Sequence, residues 1–213
     1  MTETDIYKEE RKEVARFMRR LYRTRLTTTS GGNISLKLKN DIVVITPSAT
    51  DKGRMRWQQV GIMTLQGKNL TPDLVPSIEH KMHLFIYRRK KSISAIIHAH
   101  PVFASSFTAM EGSIDTNLTA EASAICGNPV FVPYALMGSE MLASLVSEAV
   151  EKSDILLLEN HGILTAGKNL LQAFDKLEVL ENAAKMTLII GMSGKKKSLT
   201  ESQVTELQKL FGC

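Results

Sequence analysis

Ile93-Ser94-Ala95-Ile96-Ile97-His98-Ala99-His100-Pro101 carries both the architecture and the chemistry of this chain. A short apolar run closed by a proline reads as a buried strand over 93–98. Alternate strand residues share a face, so the imidazoles of His98 and His100 can reach one ion at the strand end. By itself an H-x-H pair is better explained by an ordinary strand end. A second run, Ile155-Leu156-Leu157-Leu158, shifts the balance because it leads into Glu159-Asn160-His161-Gly162. Glycine is the residue expected where backbone turns sharply beside a ligand. Two imidazoles from one strand end and a third from another suit zinc, with nitrogens at ~2.0–2.1 Å and a position left for substrate.

Upstream of that strand, Pro76-Ser77 is expected to open a helix that runs to Tyr87, ahead of the basic cluster 88–91. Glu79 then falls in the first turn, where the helix dipole favours a carboxylate that can project toward the strand ends. His80 and His83 lie on the same helix. Glu79 and His83 are spaced to chelate as an i, i+4 pair, but the preferred reading is that both histidines fill the helix-to-sheet interface.

Three hydroxyl- and glycine-bearing turns accompany these residues: Ser30-Gly31-Gly32-Asn33, Thr46-Pro47-Ser48-Ala49 and Pro76-Ser77. Exposed backbone N–H groups with Ser and Asn side chains make an anion cradle that needs no lysine. Taken together with the H-x-H pair, they point to a small phosphorylated substrate.

The remaining pattern is α/β, with interleaved elements and no internal repeat. Ile6, Val14, Phe17, Met18, Leu21 and Tyr22 have helical spacing, with a basic face expected toward solvent. Strand character recurs at 34–38, 42–46, 130–132 and 154–158. Gly138-Ser139 precedes a helix through Leu142, Leu145, Val146 and Ala149. Asn169 can cap a longer helix ending at Gly191, and Thr200 with Gln203 has the form of a capping box.

Composition excludes several classes. The 213 residues are 43% hydrophobic, enough for a sizeable core, while 6% aromatic content argues against a stacking platform for single-stranded nucleic acid. A net charge of +5 invites a polyanion, yet residues 101–150 contain no Lys or Arg and five acids, so no uniform cationic coat exists. Two cysteines, Cys126 and Cys213, do not make a disulfide framework. No apolar run approaches the ~18 residues that span a bilayer, and the charged N-terminus lacks a secretory core. The expectation is a cytoplasmic protein that binds neither membrane nor nucleic acid.

Ser-Gly-Gly-Asn-Ile-Ser (30–35), Ile-Thr-Pro-Ser (45–48), Pro-Ser-x-Glu (76–79), His-Ala-His-Pro (98–101) and Asn-His-Gly (160–162) occur in one order. That order resembles the class II aldolase and ribulose-phosphate 4-epimerase family over roughly residues 5 to 192. The resemblance implies a three-layer α/β/α fold with a central, mostly antiparallel sheet. It implies one class II aldolase-like domain over residues 1–213 with a helical tail from about 193, assembled as a homotetramer. By the same resemblance His98, His100 and His161 are the zinc ligands. Glu79 is the catalytic acid/base and also ligates the metal when substrate is absent. Gly32 and Asn33, Ser48 and Ala49, and Ser77 and Ile78 match the three phosphate-binding pairs.

The implied activity is cleavage of a ketose 1-phosphate, L-fuculose 1-phosphate foremost, to dihydroxyacetone phosphate and a small aldehyde such as L-lactaldehyde. Two departures from the sugar-cleaving branch stand out. The second and third phosphate pairs typically read Thr-Gly and Ser-Ser there, against Ser48-Ala49 and Ser77-Ile78 here. Its two tyrosines near the aldehyde end are also unmatched, with Thr119-Ala120 at the first position and no Tyr after residue 192. Rival reactions at the same site are epimerisation, dehydration and decarboxylation of a related sugar phosphate. The epimerase typically carries Asp at the position of Glu79, which disfavours it. A non-catalytic interaction module, another use of this fold, need not preserve the four ligating residues.

Overall fold

The strand that carries His98 lies at the middle of a seven-stranded sheet. The computed structural model describes residues 6–211, and Cys213 lies outside them. The strands are β1 (Asn33–Lys37), β2 (Ile42–Ile45), β3 (Gly61–Thr64), β4 (Ala95–Ala99), β5 (Val130–Val132), β6 (Ile155–Leu158) and β7 (Gly162–Gly167). Their order is β3-β2-β1-β4-β7-β6-β5, and every neighbouring pair is antiparallel except β5 with β6. Helices α1 (Lys8–Arg23), α2 (His80–Arg89), α3 (Val102–Ser106), α4 (Ala120–Cys126), α5 (Glu140–Ala149), α6 (Leu170–Ser193) and α7 (Glu201–Phe211) complete the chain.

Two cores, one on each face of the sheet, make three layers. On one face Val14, Phe17 and Leu21 of α1 and Phe174, Leu177 and Leu180 of α6 pack on Ile34, Ile97 and Ile163. On the other, Met82 and Ile86 of α2 and Leu142 and Val146 of α5 pack on Val43, Ile96, Leu156 and Leu164. The period of two divides β4 between them: Ala95, Ile97 and Ala99 face the first core and Ile96 the second. A strand buried on both faces reads as an unbroken apolar run, which is why 93–98 was legible.

Several expectations shift. The α2 helix starts at His80, not at Pro76, and Glu79 is its N-cap without a side-chain capping bond. Pro76 instead forms a β-bridge with Pro47, and Ser77 N donates to Thr46 O at 3.3 Å, so the segment is extended and paired. The α6 helix runs through Gly191 to Ser193 and stops at Gly194, whose left-handed conformation suits a C-cap. The basic face of α1 is not wholly solvated: Arg11 is buried, and its guanidinium donates to Val60 O and Gln58 O beside the Trp57 ring. Thr200 and Gln203 do bond reciprocally, at 2.9 and 3.4 Å. β3 and β7 were not anticipated. No helix of the described residues is long and apolar enough to cross a membrane.

Candidate active site

Antiparallel pairing gathers the histidines. The β1–β4 register sets Asn33 opposite His98, and the β4–β7 register sets His98 opposite Leu164. The tight connection from β6 to β7 passes through Asn160 in a left-handed conformation and leaves His161 beside the end of β4. The imidazole centroids of His98 lie 4.8 Å from those of His100 and 4.7 Å from those of His161. Among the described residues these three form a group whose potential ligand atoms all lie within 4.8 Å of one another.

The His100 ring occupies a slot made by two glycines. A Cβ on Gly162 would come within 2.5 Å of His100 Cδ2 and 2.7 Å of Ala99 O, and one on Gly31 within 2.9 Å of His100 Nδ1. The glycine of the N-H-G motif and the second glycine of S-G-G-N therefore do different things: Gly162 clears the ring, while Gly32 adopts a left-handed φ of +68° against the His98 carbonyl.

Glu79 is buried against the cluster. Its Oε1 lies 3.0 Å from His161 Nε2 and its Oε2 lies 3.4 Å from His98 Nε2, while Asn33 Nδ2 donates to Oε2 at 2.8 Å. Burial alone would push this carboxyl up, but the His98 and His161 imidazoles and the Asn33 amide hold it well below the ordinary carboxylate range. His98 is lowered as well, to about 3, by burial and against the pull of Glu79. His100 is likewise lowered by burial. At neutral pH the site therefore holds an ionised carboxylate beside a neutral His98.

The donor set fits a metal ion. His98 Nδ1 bonds to Ile163 O at 3.0 Å and must carry the proton, so Nε2 is bare and faces Glu79 and His100. A lone pair then confronts a carboxylate oxygen with no proton between them, and the buried Glu79 Oε1 has no hydrogen bond of good geometry. A cation among these atoms satisfies all of them.

The three expected phosphate loops adjoin this cluster. Ile34 and Thr46 exchange hydrogen bonds, Ser48 N donates to Val75 O at 3.0 Å, and Ser77 Oγ accepts from Glu79 N at 3.3 Å. Ser48 N and Ser77 N are thus spent on the fold. The N–H groups of Gly32, Ala49 and Ile78 have no hydrogen-bond partner among the described residues. Ala49 and Ile78 are exposed. The Asn33 side chain serves Glu79 and His83 in addition to whatever it offers an anion.

His83 is buried at the helix-to-sheet interface as expected, and His80 Nδ1 lies 2.9 Å from Ser77 O. Neither joins the histidine cluster. Lys52 is a residue the sequence did not single out: it is 1% exposed, with Nζ donating to Pro47 O at 2.7 Å. Nothing in its context distinguished it from a solvated loop lysine.

Residues 12–188 match the family model of the class II aldolase and adducin N-terminal domain. The chain belongs to the class II aldolase family. A class II aldolase relative from Methanococcus maripaludis, named L-fuculose phosphate aldolase, is 37% identical over 174 residues, which cover 82% of this chain and 93% of that one. A 3-oxo-tetronate 4-phosphate decarboxylase from Haemophilus influenzae is 29% identical over 196 residues, covering 89% and 91%. Among solved structures, an L-fuculose 1-phosphate aldolase superposes with a TM-score of 0.87 at 29% identity, over 95% of this chain and 96% of that one. This class II aldolase is an enzyme of the lyase class, with a three-histidine site able to hold the metal on which the family depends.

Proposed function

We propose that the protein is a zinc-dependent aldolase that cleaves a ketose 1-phosphate, L-fuculose 1-phosphate foremost, to dihydroxyacetone phosphate and a small aldehyde such as L-lactaldehyde. The observation that carries this reading is an ionised Glu79 held between an amide donor and two imidazoles, those of His98 and His161. His98, His100 and His161 would hold the zinc, with Glu79 as a further ligand before substrate binds. Bound there, the ion acts as a Lewis acid for the negative charge that develops on the substrate oxygens. Glu79 carries the proton at C3: it removes it in the condensation direction and returns it after cleavage. The free N–H groups of Gly32, Ala49 and Ile78, the hydroxyls of Ser48 and Ser77 and the remaining Asn33 N–H are the donors offered to the phosphate.

The whole chain is read as one class II aldolase-like domain with a helical tail. A cytoplasmic homotetramer is the assembly proposed. Phe131, Tyr134, Leu136, Met137 and Met141 are large, exposed and apolar, and all lie in the stretch without Lys or Arg, as suits a subunit contact.

The test is solvent-proton exchange at C3 of dihydroxyacetone phosphate. Glu79→Gln is expected to retain zinc and lose exchange; undiminished exchange in that variant removes Glu79 from the mechanism. A second reading, decarboxylation of a phosphorylated keto acid, is favoured by the decarboxylase relative. Mass spectrometry separates the two by aldol fragments or loss of carbon dioxide.

A further inference from the structure

The Asn33 amide is held from both ends. Its Nδ2 donates to Glu79 Oε2 at 2.8 Å, and its Oδ1 lies 2.6 Å from His83 Nε2. An ionised carboxylate only accepts, so the amide nitrogen must face Glu79 and the amide oxygen His83. That oxygen also only accepts, so His83 carries its proton on Nε2. Burial lowers His83 to about 4, which leaves it neutral with Nδ1 bare. Ser35 Oγ, 2.7 Å away, therefore donates to Nδ1, and Tyr87 OH lies 2.7 Å beyond it. Asn33, Ser35, Glu79, His83 and Tyr87 are all buried. From Ser35 to Glu79 the direction of every hydrogen bond is fixed, because reversing any one sets two donors or two acceptors face to face.

We infer that His83 is a positioning residue for Glu79. It locks the Asn33 amide in the single orientation that donates to the carboxylate, and so keeps Oε1 aimed at the histidine cluster. Without the Nε2–H, nothing prevents the amide from presenting its oxygen to Glu79, which repels the carboxylate from its place. The inference rests on reading Glu79 as the proton carrier beside a metal. It adds a residue outside the ligand set, one helical turn beyond Glu79.

The test compares His83→Leu, which removes both polar contacts, with His83→Gln, which can supply a donor to Asn33 and an acceptor to Ser35. Two readouts are taken on the full chain: proton exchange at C3 of dihydroxyacetone phosphate, and the visible spectrum of the cobalt-loaded protein. Glu79→Gln supplies the reference spectrum for a site without its carboxylate. The expected result for His83→Leu is a kcat about 30-fold lower, as for a misplaced catalytic group, with KM within about threefold. Its cobalt spectrum should move toward that of Glu79→Gln, and His83→Gln should recover most of kcat and the wild-type spectrum. Equal impairment of both variants at equal thermal midpoints, or a wild-type spectrum in His83→Leu, overturns the inference. If His83→Leu does not fold, Ser35→Ala replaces it, since losing that donor frees the imidazole tautomer. A smaller shift of kcat and spectrum in the same direction is expected there, and no shift is the overturning result. If the wild-type protein exchanges no C3 proton, the aldolase reading fails and the cobalt spectra alone decide the role of His83.

Discussion

His98 donates its Nδ1–H to the carbonyl oxygen of Ile163, on the neighbouring strand, across 3.0 Å. A backbone acceptor thus chooses the tautomer and turns a bare Nε2 toward Glu79. Substituting His98 by Ala is expected to reduce metal content at least tenfold, measured by elemental analysis after gel filtration. In the wild-type protein, zinc at about 100 times its Kd should raise unfolding stability by about 2.7 kcal/mol. Calorimetry should show no such gain in His98→Ala.

Gly162 leaves no room for a methyl group beside His100. Gly162→Ala is expected to displace that ring, weakening metal binding by about tenfold or more and costing roughly 1–3 kcal/mol from overpacking. A cobalt titration checks the affinity. Wild-type binding in this variant would mean that the ring shifts freely and that its slot does not define the site.

Lys52 is buried with no carboxylate paired to it among the described residues, and burial lowers it to about 8. The unfolded chain holds this proton up to about pH 10.4, so between those values the unfolded state binds more protons than the folded one. Stability should therefore rise as pH increases from 8 to 10. Lys52→Met should lack that rise and, at pH 7, match or exceed wild-type stability. Urea denaturation at pH 7, 8.5 and 10 decides, and a wild-type curve flat over that range would show that the ammonium is satisfied in place.

His83 sets an acid limit. Its folded value of about 4 lies below the ordinary 6.5, through burial and the nearby His80 and against the pull of Glu79. The unfolded state takes up the proton first, so stability is full above pH 6.5 and falls as pH drops toward 4. The loss is on the order of 3 kcal/mol. Metal-free protein should show it in urea midpoints between pH 7 and 4, and His83→Leu should show a shallower decline.

Much of the site was legible because its signals are local. An apolar run ending in H-x-H needs only the strand period to bring two imidazoles together. What escaped depended on contacts distant in sequence. β7 reads Gly-Ile-Leu-Thr-Ala-Gly, with too few large β-formers to announce the strand between β4 and β6. Pro76 looked like a helix start because nothing nearby reveals its bridge to Pro47. The Asn33 amide looked like a free anion donor, and only the register of β1 against β4 and α2 commits it to Glu79. Ala49 is informative in the opposite sense. Its φ of +47° is left-handed, so the glycine typical of the sugar-cleaving branch at this position has a steric reason, and alanine here bears a cost of about 1 kcal/mol.

The unequal burial of the cluster also governs how quickly an ion could be exchanged. His98 is fully enclosed and Glu79 nearly so, whereas His100 and His161 reach the surface in part. Solvent therefore meets a bound ion from one side only. A bulky hexadentate chelator cannot wrap it there and must wait for spontaneous release, whereas a small planar chelator can attack through the His100–His161 side. Metal stripping should accordingly be slow and independent of concentration with the first, and faster and first-order in chelator with the second.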